Sequence, residues 1–238
     1  MNIKNSSSDK KIIKEKLLKK IIKKNKDVND TNLVKKNIIK KPWGFEYSFW
    51  SSNKAALWVL NIKKKQSTSL HCHLFKKTYL INLNKIYLKT LKKNYRFEPL
   101  SIIEIDKKTF HQTKNISDKN LIMFELEIPN QKFDLLRYKD KYKRDSVFYE
   151  KEILNDKSSI NLKNTINKNF LEIFDGKKIK TIKKIKKNNI LILISGYLKI
   201  ENKKIKLFKP FKTDINLILK NKENFSSTSR FIVIKKNL

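Results

Sequence analysis

Hydrophobic positions change their period near residue 40. Before it, Ile12, Ile13, Leu17, Leu18, Ile21 and Ile22 recur at helical spacing, which predicts an amphipathic helix over 7–25 with Ser8 as its cap and a face made almost entirely of Lys. After it come short runs rich in β-branched and aromatic residues, at 57–62, 79–83, 86–91, 100–105 and 121–128, each suited to a strand. Many short strands at close spacing predict a sandwich or barrel. Residues 129–160 are polar and charged, and read as a wrap around that barrel or a link to a second one. Further runs at 170–174, 178–185, 190–194, 197–201, 204–208, 214–219 and 230–234 predict more strands, with Ser195-Gly196 and Glu201-Asn202-Lys203 as hairpin turns. The pattern divides the chain into a helical, basic extension over 1–39, a β-barrel over 40–150 and a second small β-barrel over 151–238. The fold class expected is all-β with an N-terminal helix.

Composition refines this picture. The chain has 238 residues, long enough to bury a core, yet only 3 Gly and 4 Pro, so tight turns are assigned to Asn, Asp and Lys-Asn pairs. Its formal net charge is +35, a field that attracts nucleic acid or an anionic membrane surface. Four of the cations are Arg (Arg96, Arg137, Arg144 and Arg230) and the rest are Lys, beside abundant Ile and Asn. Those three residues share A/T-rich codons, so genomic drift accounts for the charge, and scarce Arg argues against a dedicated nucleic-acid reader. The N-terminal helix is either a basic surface for a membrane or acidic partner, or an appendage packed on a barrel. A single cysteine, Cys72, excludes an intramolecular disulfide and fits a reducing compartment. The N-terminus has no uninterrupted apolar stretch of the secretory kind, and no apolar run reaches the length of a membrane span. A cytoplasmic location is expected.

The candidate chemistry is concentrated. The chain holds 3 histidines, two of them in His71-Cys72-His73 and the third at His111. On a strand, residues i and i+2 share a face, so His71 and His73 are expected to project together into a barrel interior. A third imidazole on a facing strand would complete a facial set of three nitrogen ligands, with positions left open for water or substrate. The competing reading is a surface coincidence in a hairpin.

His71-Cys72-His73 and His111 followed by Asn115 resemble the two motifs of the cupin superfamily, His-x-His and His-x-x-x-Asn. The surroundings resemble type II mannose-6-phosphate isomerase cupin domains. Lys41-Pro42-Trp43-Gly44-Phe45-Glu46-Tyr47 is similar to their opening Pro-Trp-Gly segment, and Ser69-Leu70-His71-Cys72-His73 to their Ser-Leu-Gln-x-His. Phe133-Asp134-Leu135-Leu136-Arg137-Tyr138-Lys139-Asp140-Lys141-Tyr142-Lys143-Arg144 is similar to their closing Asp-Asp-Ile-Val-Arg-Phe-Glu-Asp-x-Tyr-Gly-Arg. The blocks keep their order over residues 40–150. The resemblance implies a cupin-type barrel, a bicupin if the second barrel is counted. It also implies a divalent transition metal (Zn, Fe, Mn or Ni) and a sugar phosphate or nucleotide sugar as small-molecule partner. By position the family's ligands fall on His71, His73 and His111, while its Glu falls at Lys77-Thr78, so the carboxylate is missing; the glycine before Arg144 is replaced by Lys143.

Isomerase chemistry needs a base to move a proton between adjacent carbons. Glu46, Glu104, Glu125 and Glu127 are the candidates, none of them placed by the sequence. Arg137 and Arg144 are candidates for gripping a phosphate, with pairing to Asp134 or Asp140 as the structural alternative. Trp43 and Trp58 either stack on a sugar ring or fill the core. The leading expectation is a metal-binding cupin acting on a sugar phosphate or nucleotide sugar in carbohydrate or surface-polysaccharide biosynthesis, with a homodimer compatible. The rivals are a non-catalytic sugar-binding or regulatory cupin, a nucleic-acid-associated basic protein and a three-histidine iron dioxygenase.

Overall fold

The computed structural model describes residues 1–21, 31–144, 149, 150, 152–175, 189–200, 203–212 and 225–235. The chain forms two compact units, Met1–Asn155 and Asp156–Leu238.

The first unit opens with β1 (Asn2–Ile3), α1 (Ser7–Ile21) and α2 (Thr31–Lys36). Eleven strands follow: β2 (Ile39–Lys41), β3 (Gly44–Ser51), β4 (Ala56–Ile62), β5 (Leu70–Cys72), β6 (Lys77–Asn82), β7 (Ile86–Thr90), β8 (Asn94–Phe97), β9 (Ile102–Ile105), β10 (His111–Asn115), β11 (Leu121–Ile128) and β12 (Leu136–Lys139). They build two sheets, in the orders β1-β9-β6-β11-β4-β3-β2 and β12-β5-β10-β7-β8. Within these, β4-β11-β6-β9 and β5-β10-β7-β8 are the two interleaved four-stranded arrays of a jelly roll, the architecture of cupin barrels. Every residue of β4 is buried, because one face lines the barrel interior and the other is covered. The interior core includes Trp58, Leu60, Ile62, Leu80, Ile86, Leu88, Ile103 and Met123.

The helix expected over 7–25 starts at Ser7, and its continuation past residue 21 lies outside the described residues. Its cap is Ser6 rather than Ser8. The Asp9 amide donates to Ser6 Oγ at 3.2 Å and the Ser6 amide to Asp9 Oδ2 at 2.7 Å, a reciprocal capping box. Asp9 Oδ1 also accepts from the Phe110 amide at 2.8 Å, which fastens the helix to the barrel. On the outer face of the smaller sheet, Ile13 packs with Leu70, Cys72, Phe110 and Leu136.

Five residues other than glycine have a left-handed backbone among those described: Lys65, Leu100, Lys108, Lys143 and Phe208. None is Asn, contrary to the expectation for a glycine-poor chain. Lys143 stands where the resembled family carries glycine, and its φ of 56° shows why glycine suits that position.

The second unit contains α3 (Lys157–Phe170), β13 (Leu171–Asp175), β14 (Ile190–Ser195), β15 (Lys199–Ile200), β16 (Lys203–Lys204), β17 (Phe211–Lys212) and β18 (Arg230–Ile234). Its described strands form a four-stranded sheet, β13-β18-β14-β17, and a two-stranded ribbon, β15-β16. The α3 helix was not foreseen; Asp156 caps it by accepting from the Ser159 amide at 2.8 Å. Ser195-Gly196 is a turn but not a hairpin, because β14 pairs with β17 and β18 while β15 pairs with β16. The strands expected at 178–185 and 214–219, and the turn at Glu201-Asn202, lie outside the described residues.

Candidate metal centre

The second turn of the site's architecture is a register match. On β5 and β10 His71 and His111 are direct antiparallel partners, so they sit side by side in one sheet, not on facing strands as expected. His73 follows β5 immediately and returns to the same side as His71. The ring centroids are 4.5 Å (His71–His111), 5.1 Å (His71–His73) and 5.4 Å (His73–His111) apart. One ligand nitrogen from each ring lies within 4.8 Å of the others. Alternation along β5 turns Cys72 to the opposite face, where α1 buries it away from the triad.

Each Nδ1 is held by a backbone carbonyl: His71 donates to Ser69 O at 2.8 Å, His111 to Thr109 O at 3.0 Å and His73 to Asp134 O. A carbonyl only accepts, so each Nδ1 carries the hydrogen and each neutral ring keeps its lone pair on Nε2. This arrangement orients imidazoles for metal ligation. His73 Nε2 is buried and has no hydrogen-bond partner, as expected of a nitrogen shaped for an ion. Burial, then the neighbouring rings, holds His71 well below the ordinary histidine range. Burial and His73 lower His111 to about 4. Both are therefore neutral and competent to ligate at neutral pH. The donor set fits a divalent transition metal.

Around the triad lies a buried shell of charge. Glu46 is 3.3 Å from Lys41 and 3.1 Å from Lys132, and accepts from the Tyr149 hydroxyl. Glu127 is 2.7 Å from Lys76 and 3.6 Å from Lys132. Lys132 also lies 4.0 Å over the Trp58 ring. Glu125 Oε1 is 3.6 Å from His73 Nε2. Burial alone would raise the Glu125 carboxyl, but His73, Lys132 and Lys76 outweigh it and hold it well below the usual range.

Arg137 and Arg144 border the same interior as the triad. Arg144 grips Asp140 through Nε at 2.7 Å and Nη2 at 2.8 Å and also meets Glu150; Arg137 is 3.3 Å from Glu150, and Lys41 is 2.7 Å from it. Trp43 is buried in the core and borders the interior as well. Asn115 is structural: its Nδ2 donates to the carbonyls of Ile62, Lys63 and Lys119, tying the end of β10 to the neighbouring connections. Glu104 stands apart from the triad, 2.6 Å from Lys77.

Lys41, Lys76, Lys132, Tyr149 and Glu150 were not read from the sequence as site residues. One signal was available: Glu125 and Glu127 interrupt the inward face of an otherwise apolar strand at i, i+2 spacing. The space at the triad is ≈ 60 Å³. A cavity of ≈ 530 Å³ adjoins it, walled in part by Trp58, Leu74 and Phe133, and the two share Lys132 and Leu135.

Strand order and the interior histidine cluster define the first unit as a cupin-type β-barrel with a candidate metal centre. No protein-family model matches the sequence, and no curated protein matches it. Among solved structures, the chain is similar to the capsular polysaccharide assembling protein CapF from Staphylococcus aureus, at 13% identity over 43% of this chain and 34% of that one, with a TM-score of 0.38. It is also similar to the Schizosaccharomyces pombe Cnp3 cupin domain, at 11% identity over 36% of this chain and 64% of that one (TM-score 0.35). A third is a cupin-superfamily sugar phosphate isomerase from Silicibacter pomeroyi, at 10% identity over 37% and 57% (TM-score 0.32). The chain thus spans about a third of CapF's length.

Proposed function

We propose that the first unit binds one divalent transition metal through His71, His73 and His111 and acts on a sugar phosphate or nucleotide sugar, in carbohydrate or surface-polysaccharide biosynthesis. The observation that supports it most is the set of three imidazoles whose Nδ1 hydrogens are all spent on carbonyls, which leaves the Nε2 lone pairs for an ion on rings whose ligand nitrogens lie within 4.8 Å of one another. A metal bound there supplies Lewis acidity toward a hydroxyl or carbonyl oxygen.

The chain's own groups suit an anionic substrate. Lys41, Arg137 and Arg144 converge on Glu150, while Arg144 also holds Asp140 and Lys41 also meets Glu46. A phosphate taking the place of Glu150 would accept charge-assisted hydrogen bonds from all three cations. Trp43 borders the same interior. The larger cavity falls within the size range of small-molecule sites, and the half-buried Phe133 in its wall offers an aromatic surface to a sugar ring.

The test is turnover of mannose 6-phosphate and a panel of other sugar phosphates by metal-loaded protein. Activity abolished in His73→Ala supports the reading. Silence across the panel, with the metal bound, overturns the catalytic part. It would favour a second reading, a non-catalytic sugar-binding barrel, which the narrowness of the ≈ 60 Å³ space at the triad also favours.

A further inference from the structure

Four carboxylates line the interior around the triad, and they are not equivalent: Glu150 is held by Lys41, Arg137 and Arg144. Glu46 and Glu127 are each tied to two lysines at 2.7 to 3.6 Å. Glu125 feels Lys132 and Lys76 only from farther off than an ion pair; the charged or ligating atom it meets is His73 Nε2, 3.6 Å away. Because His73 Nδ1 donates to the Asp134 carbonyl, a neutral His73 presents a lone pair to a carboxylate oxygen. Two buried acceptors facing one another repel unless a cation lies between them.

The spacing matches such a cation. Ligand atoms about 2.0–2.2 Å from one ion stand roughly 3–3.5 Å apart, close to the 3.6 Å observed. Strand register explains how the carboxylate arrives. Thr78 occupies the place where the motif would put an acid, buried and with a hydroxyl that lacks a hydrogen-bond partner. On the neighbouring β11, Glu127 pairs with Thr78 and Glu125 with Leu80, so the acids lie one strand over from the missing one.

We propose that Glu125 is the fourth protein ligand of the metal, supplied from β11 in place of the acid absent at Thr78. This rests on the triad being a metal centre. The carboxylate lowers the net charge at a divalent ion by one and leaves the other coordination positions open.

The test is titration of metal-stripped, full-length protein, made without a histidine tag, with Co(II), following heat and visible absorption. Glu125→Gln preserves size and removes the charge. It is expected to weaken Co(II) binding about 100-fold or more, since even groups that only orient a ligand cost 10–100-fold, and to shift the cobalt absorption bands. Glu125→Asp is expected to recover part of both. Thermal unfolding of the metal-free Gln variant checks that it folds. Wild-type affinity and an unshifted spectrum in a folded Gln variant overturn the proposal while leaving the triad standing. That would also be the outcome if Glu125 only balanced a protonated His73. A wild-type protein that takes up no Co(II) overturns both.

Discussion

In the first unit Lys41, Lys76, Glu46, Glu125 and Glu127 are buried, and Lys132 is half-buried, beside three imidazoles. In the second, the described core is Phe174, Leu191, Leu193, Leu198, Phe225, Phe231 and Val233, and the buried polar residues there are Asn189 and Ser229. Both cores pack on antiparallel strands, so β-structure alone does not require ions inside. Moving a charged group out of water costs several kcal/mol even after pairing, and apolar side chains of similar volume would stabilise a barrel at least as well. Among the described residues the two interiors differ in kind: the second is packed from apolar side chains, and the first encloses paired ions beside a candidate metal centre.

The sharpest way to break this contrast is to remove the nearer partner of an interior ion. Lys76→Met leaves Glu127, whose side chain is fully buried, with only Lys132 at 3.6 Å, and should destabilise the first unit by about 3 kcal/mol. Trp43, Trp50 and Trp58 all lie in the first unit, so tryptophan fluorescence during urea unfolding reads that unit alone. A loss below about 1 kcal/mol would mean that the pair is solvated like a surface bridge.

Acid should also separate the units. Burial holds His111 at about 4 in the folded state against 6.5 when exposed, and His71 is lowered as well. The unfolded chain therefore binds more protons than the folded one as pH falls from 6.5 toward 4, and stability declines over that window. For His111 the loss is on the order of 3 kcal/mol. The second unit has no histidine and should not share it. A flat first-unit stability between pH 6.5 and 4, measured by tryptophan fluorescence without metal, would contradict the account.

Smaller effects sharpen the comparison from the other side. Lys235 and Glu172 pair at 2.5 Å in the second unit, but both are partly exposed. Lys235→Met should cost under about 1 kcal/mol in thermal unfolding, far less than the interior lysine. Lys143→Gly places glycine at a left-handed position and should stabilise by about 0.5–1 kcal/mol. A decrease in melting temperature would show that Lys143 makes a contact outweighing its backbone strain.

Much of this organisation was legible in the chain. Histidine is rare here, and its concentration in His71-Cys72-His73 and His111 marks the triad in the sequence itself. The strands at β4, β6, β7, β9 and β11 followed from apolar runs. What escaped depended on relations between strands. That β10 adjoins β5 is a matter of register, and so is the closeness of Glu125 to His73. The pairing of Arg144 with Asp140 was weighed as an alternative, but Glu150, which joins it to Arg137 and Lys41, lies in a segment read only as polar wrapping. The α3 helix escaped because its sequence is rich in Ser and Asn, residues that favour turns and caps, and apolar residues in it are few; a single buried residue, Ile166, anchors it.

The most direct measurement is the metal content of protein produced without a histidine tag, loaded with zinc and then desalted, alongside His71→Ala, His73→Ala and His111→Ala. One retained ion per chain, lost in each variant, is the expected result. A wild-type chain that retains none, or variants that hold the ion as firmly as wild type, would mean that the three imidazoles do not share a metal.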